Sequence, residues 1–444
     1  MCRSMGAWAA CAMLAVALLG GCRARPVGQQ EAEAAGGQPR VGGLPGLYQA
    51  LEGLESHSRT APVVILQIGD SHTEDDALSG RMRALFQARF GDAGRGPLPP
   101  GRPTRWYKPQ QVSVATSGHW RMDGARPGPA SGPFGIAGMS ATADTAEAEM
   151  VVTATGADGF DRAAVELLHQ PGGGTLDVLV DDRPVAALAS AAEAPGAAWH
   201  DIASARGSRT MTLRPRGDGP VTVLMWDTRR AGPGVVYANL GIVGATVGIL
   251  ERWDPAFVAR EVAALRPALL LVAFGTNEGF NPALDLAAYR DRFAAQLRRL
   301  RALAPDAAIM VVGPPDGNEV TGHEVAPRVV KGRAPRRQVR QSPSGCVGER
   351  SQAGARRMWT VPRNLDAVRS VQREAAAVGA DFFWDWSGVM GGACGMDRWV
   401  QADPPLGAKD HVHLQPAGYE QTADRLFDEL MVGYERYRAA KRAR

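Results

Sequence analysis

Short unbroken apolar runs alternate with stretches whose apolar residues recur every three or four positions. The first run, Val63-Val64-Ile65-Leu66-Gln67-Ile68, is rich in β-branched residues and stops at Gly69. It predicts a strand buried on both faces, the signature of a parallel sheet. Runs of the same kind follow at Gly234–Asn239, Leu269–Phe274, Ala308–Val312 (halted by Gly313-Pro314-Pro315) and Asp381–Asp385. Between them, Leu78, Met82, Leu85 and Phe86 predict a helix over 75–90. Leu286, Tyr289, Phe293, Leu297 and Leu300 predict a second, and Leu426, Phe427, Leu430, Met431 and Tyr434 a last one starting near Pro416. Apolar stripes of that period cover a sheet. Strands alternating with helices predict an α/β protein with a doubly wound parallel sheet.

Residues 99–232 break this rhythm. Gly, Pro, Ala and Thr are frequent, and short alternating runs appear at Glu147–Thr155, Ala164–Leu168, Thr175–Val180, Thr210–Leu213 and Val221–Trp226. A loop of that length without structure is rare, so an inserted β-sandwich is expected. A second insertion, 316–364, is broken by Gly and Pro and carries Arg328, Lys331, Arg333, Arg336, Arg337, Arg340, Arg350, Arg356 and Arg357. It is expected as a solvated loop, with contact to an anionic substrate or surface as the sharper alternative. The catalytic α/β unit would then comprise 46–98 and 233–440.

The chain has 444 residues, a net charge of +4 and 45% hydrophobic residues. That allows a large α/β domain plus a smaller one and gives no electrostatic case for nucleic acid. The first residues matter more. Arg3 precedes an apolar run, Ala7 to Leu19, which ends in Leu19-Gly20-Gly21-Cys22. A charged start, a short apolar core and small residues define a secretory signal, and the run is short for a membrane span. The ending resembles a bacterial lipobox, with 1–22 as signal and Cys22 as the lipidated residue. Arg23 in the next position resembles lipoproteins sent to the outer membrane, which implies an exported, membrane-anchored protein on the periplasmic side. Residues 23–45 read as a flexible tether. Cys346 and Cys394 would then remain in an oxidising compartment, where a structural disulfide is expected. No Cys/His cluster has zinc-ligand spacing, and no metal or organic cofactor is implied.

Ser71 follows the first strand at a tight turn. A serine hydroxyl needs a base to become a nucleophile. Asp410-x-x-His413, just before the last helix, offers a base and a carboxylate to orient it, with His411 as a competing base or else a surface histidine. In chain order Ile68-Gly69-Asp70-Ser71-His72, Asn239-Leu240-Gly241-Ile242-Val243-Gly244, Gly275-Thr276-Asn277-Glu278 and Asp410-His411-Val412-His413 resemble the four blocks of the SGNH (GDSL) hydrolases. The resemblance implies a flavodoxin-like fold and a serine esterase. It assigns Ser71 as nucleophile, His413 rather than His411 as general base and acid, and Asp410 as the group orienting His413. It also assigns an oxyanion hole from the backbone N–H groups of Ser71 and Gly244 and the side chain of Asn277. Asp70 and Glu278 are expected to brace their turns. His72 and Val243 depart from the usual Leu and Ser without removing a catalytic group.

A narrower resemblance rests on Gly69–Thr73, Phe90–Gly96, the large insertion before the second block, and Lys409–Leu414. These are similar to bacterial peptidoglycan O-acetylesterases, in which a carbohydrate-binding-module-like domain is inserted. The implied substrate is an O-acetylated glycan, acetylated at the muramic acid C6 hydroxyl. Trp106, Trp120, Trp199 and Trp226 of the insert are candidate sugar-stacking residues, although core packing is their commoner fate. Two other readings remain open at this point. One is an esterase or acetyltransferase acting on another exported glycan or a lipid. The other is a non-catalytic wall-binding lipoprotein.

Overall fold

The computed structural model describes residues 43–129, 132–324, 345–346 and 356–444. The expected signal segment with Cys22, the tether up to residue 42, and residues 325–344 and 347–355 of the basic insertion lie outside the described residues.

Five strands form the central sheet: β1 (Val63–Gly69), β2 (Val235–Gly241), β3 (Pro267–Ala273), β4 (Ala308–Gly313) and β5 (Phe382–Asp385). Their order is β2-β1-β3-β4-β5, and every pairing is parallel. Side chains alternate between two cores, as the period of a strand requires. Leu66, Ile68, Val272 and Val311 face helices α4 (Pro255–Leu265), α5 (Leu286–Leu303) and α6 (Leu365–Gly379). Ile65, Leu271, Met310 and Val312 face α1 (Pro45–Glu55), α3 (Ala77–Phe90) and α7 (Pro416–Arg442). Asp254 and Asp285 start α4 and α5 by accepting two backbone N–H bonds each, which satisfies donors that the first helical turn leaves over. The result is the doubly wound α/β fold.

The helix expected over 75–90 is two helices. A single turn, α2 (Ser71–Glu74), precedes α3, and Asp76 between them sits in the left-handed region at φ +61°. The break has a cause. In that conformation the fully buried Asp76 carboxylate binds Arg83 at 2.8 Å and Arg95 at 3.4 Å, and accepts from Ser79 Oγ and the Gln110 N–H. A continuous helix would aim it elsewhere.

The inserted segment folds as two antiparallel sheets. One runs Gly196–Ile202, Arg162–His169, Val221–Arg229, Met139–Ala143, Arg121–Gly124, with Gly96–Leu98 also on Val221–Arg229. The other runs Val112–Ser117, Glu149–Ala154, Thr210–Pro215, Thr175–Val180, Arg183–Ala189. Both contribute to one core that includes Leu98, Val152, Val165, Leu213 and Trp226. The first strand of the insert starts at Gly96, slightly before the boundary expected at residue 99. Its two ends lie side by side, because Ala93 and Val235 are hydrogen-bonded, and so are Arg230 and Ala93.

In the second insertion, Glu319–Glu324, Arg356–Thr360 and Gly345–Cys346 form a small antiparallel sheet. Cys346 and Cys394 are joined by a disulfide.

Candidate active site

The register of the sheet brings three of the four blocks together. Gly69 at the end of β1 is level with Gly241 of β2 and Ala273 of β3. Ser71, Gly244 and Asn277 therefore leave the carboxyl ends of three adjacent strands. Chain order reverses here, with β2 and β3 on opposite sides of β1, and such a switch point opens a crevice. Glycine at 69 is a steric requirement, since a Cβ there would lie 2.6 Å from the Ala273 carbonyl oxygen.

Ser71 Oγ lies 3.0 Å from His413 Nε2, and His413 Nδ1 lies 2.7 Å from Asp410 Oδ2. Asp410 Oδ1 also accepts the backbone N–H groups of Val412 and His413, at 3.0 and 2.9 Å. One carboxylate thus shapes the turn and holds the ring. With the Nδ1 proton facing Asp410, Nε2 presents its lone pair to the serine; this tautomer follows from the partners. Burial opposes the Asp410 charge, but the bonds from His413 and the two N–H groups outweigh it and hold the carboxyl well below its usual range. The same bond to Asp410 raises the His413 pKa above 6.5 against partial burial.

Behind this chain Asp70 and His72 are buried. Asp70 caps α2 by accepting the His72 N–H at 3.0 Å. Burial pushes its carboxyl up to about 6, against its bonds with His72 and Thr276. The His72 ring lies 5.3 Å from that of His413 and meets Trp386 edge-on, with Nδ1 3.0 Å from the Tyr419 hydroxyl. Burial, and then the nearness of His413, lower its pKa to about 3. His72 is therefore a neutral wall against which the catalytic ring can rest, filling the place of the customary leucine.

Gly244 has φ +72°, and a Cβ there would meet nothing within 4 Å. Glycine serves here for its backbone conformation. Asn277 donates one amide hydrogen to the Ala245 carbonyl at 2.8 Å, leaving its second N–H for another acceptor. Glu278 Oε1 accepts the Val247 N–H at 2.8 Å, so the third block braces the segment that follows the second. Burial raises the Glu278 carboxyl to about 7. Asn239 donates to the Thr73 carbonyl, and to Ser79 Oγ at 2.9 Å, locking β2 to the segment after the nucleophile. From the insert, Arg126 reaches the Val243 carbonyl at 3.3 Å.

At the site too the structure corrects an expectation. His411, read as a surface histidine if it were not the base, is buried, and its ring stacks on Trp359 at 3.6 Å. It supports the turn from behind, and Asn318 donates to its carbonyl at 2.8 Å. The insert tryptophans separate clearly. Trp226 is fully buried with its Nε1–H on the Pro99 carbonyl, Trp120 and Trp199 are partly buried, and Trp106 is 53% exposed. Sequence reasoning missed the Asp76–Arg83–Arg95 cluster. Its signal was a pair of opposite charges seven residues apart, 76 and 83. Among the described residues no group of His, Cys, Asp and Glu could hold a metal ion, and no helix is long and apolar enough to cross a membrane.

The family profile of GDSL-like lipases and acylhydrolases matches residues 217–421. The chain carries a GDSL-like acylhydrolase domain. A solved peptidoglycan O-acetylesterase is 24% identical over 90% of this chain and 99% of its own, with a TM-score of 0.67, and shares the fold. A family two carbohydrate esterase from Cellvibrio japonicus is 13% identical over 73% and 99%, with a TM-score of 0.28. A salicylyl-acyltransferase of a tetracycline pathway is 11% identical over 76% and 96%, with a TM-score of 0.30. No curated protein matches by sequence. The matched region holds Gly244, Asn277, Asp410 and His413, while Ser71 lies before it and is joined to it through the sheet. This SGNH-type esterase is therefore assembled from both sides of its insertion.

Proposed function

We propose that this esterase removes O-acetyl groups from an exported glycan, peptidoglycan acetylated at the muramic acid C6 hydroxyl, as a lipoprotein anchored through Cys22. One observation carries the catalytic part: the continuous hydrogen-bonded chain Ser71–His413–Asp410 at the switch point of the sheet. His413 takes the serine proton as Oγ attacks the acetyl carbonyl. The oxyanion is met by the backbone N–H groups of Ser71 and Gly244 and the free amide hydrogen of Asn277. The proton passes to the departing sugar hydroxyl, leaving acetyl on Ser71. Water, deprotonated by the same histidine, then releases acetate and restores the serine. Asp410 holds the ring and balances its charge while it is protonated.

The substrate is supported by the resemblance of Gly69–Thr73, Phe90–Gly96 and Lys409–Leu414, by the inserted β domain, and by the signal-like N-terminus, since wall glycan lies outside the inner membrane. The test is acetate release by protein lacking residues 1–22, from O-acetylated and chemically de-O-acetylated peptidoglycan, with Ser71→Ala as control. Release from the first alone, and only with Ser71 present, is the expected result. Turnover of a small acetyl ester without release from wall would move the substrate to another exported ester. Silence on both would leave a binding protein.

A further inference from the structure

The loop between the first β domain strand and the next, residues 99–111, is tied to the helices that follow the nucleophile. Thr104 Oγ1 donates to Glu74, which ends the helical turn that Ser71 begins. Glu74 lies three residues after Ser71, a spacing that puts both on one face of the turn. The Gln110 N–H donates to Asp76 at 2.8 Å. Between these ties, Tyr107 is buried in the insert's core. Trp106 stands between Thr104 and Tyr107, with its N–H held by Thr104 Oγ1 at 3.1 Å.

Its neighbour Tyr107 packs inward. Trp106 instead exposes 53% of its surface, and the Arg105 guanidinium lies 4.5 Å from its ring centroid. Large exposed aromatic surface costs free energy in water, and Trp is enriched at binding interfaces. Arg102, Arg105 and Lys108 flank it, all exposed, and the loop carries no acidic residue. A flat ring among cations suits a pyranose ring of an acidic polymer, since the apolar face of a sugar stacks on an aromatic ring while its anionic groups meet the arginines.

We propose that Trp106 is a sugar-stacking subsite on the rim of the active site, holding a ring of a carboxylate-bearing glycan next to the one whose acetyl ester is cleaved. The inference rests on the glycan esterase reading above. It gives the insert a direct part in substrate choice through its linking loop.

The test compares Trp106→Ala and Trp106→Phe on soluble O-acetylated glycan strands and on a small acetyl ester, with exposed Val378→Ser on α6 as control. The expected result is a fall of about tenfold in kcat/KM on strands relative to the small ester for Trp106→Ala, carried by KM. Trp106→Phe should recover most of it, the thermal midpoint should hold, and Val378→Ser should behave as wild type. Equal losses on both substrates, or no loss on strands, would overturn the subsite while leaving the esterase intact. Failure of the wild type to deacetylate strands would instead overturn the glycan reading and the subsite with it.

Discussion

Asp410→Asn separates the two tasks of one carboxylate. Its Oδ1 shapes the turn by accepting two backbone N–H groups, and its Oδ2 accepts from His413 Nδ1 at 2.7 Å. Asparagine keeps an oxygen for the backbone donors, so the turn persists, but it offers an NH₂ group to Nδ1. The ring must then accept at Nδ1 and carry its proton on Nε2, pointing an N–H at Ser71 Oγ 3.0 Å away. Such a ring cannot take the serine proton. In buried triads the loss is about 10⁴ in kcat. Here His413 and Asp410 are 42% and 51% exposed, so water can replace part of the lost acceptor. The expected loss is on the order of 10²–10³, or about 2.7–4.1 kcal/mol. The pH profile moves as well. Asp410 raises the His413 pKa, so wild-type activity should grow with a midpoint above 6.5, because only neutral imidazole is a base. Without the carboxylate the midpoint should fall toward more acidic values. The assay is kcat/KM on a small acetyl ester from pH 5 to 9. A variant within threefold of wild type, with its midpoint unmoved, would refute the role of Asp410.

Asn277→Ala should lower kcat about 10²–10³-fold with little change in KM, because its free amide hydrogen meets charge that exists only in the transition state; a change in KM alone, read from steady-state kinetics, would contradict it. Asp76→Asn strands two buried guanidinium groups, since Arg83 and Arg95 are 0% and 1% exposed. It should cost about 3–5 kcal/mol of unfolding free energy, and a loss under 1 kcal/mol in urea titration would show that the cluster is not the clamp described.

The central sheet was legible because its strands are buried on both faces. β1 is buried at every position, so its sequence is an apolar run broken only by Gln67. The insert was legible only where strands alternate over a core, as Glu149–Ala154 does. Arg183–Ala189 contains no buried position and Gly96–Leu98 is three residues long; neither carries a period to read. The break at Asp76 was hidden because its partners arrive from other elements: Arg95, and Asn239, whose amide donates to the carboxylate at 3.2 Å. His411 was misread for the same reason: its burial is decided by Trp359, which no local pattern connects to it. The catalytic positions were visible as short blocks, yet what brings them together is the register Gly69–Gly241–Ala273, a property of three strands at once.

The insert leaves and rejoins the catalytic domain at neighbouring points, around Ala93 and Val235. For recombination this geometry is permissive: a foreign module with adjacent ends could be grafted without disturbing the pairing of β1 with β2. The graft would not be neutral. Thr104 and Gln110 belong to the insert and hold Glu74 and Asp76, so exchanging the module would also exchange the brace beneath the nucleophile. In this architecture, a change of module must come with a retuned catalytic turn.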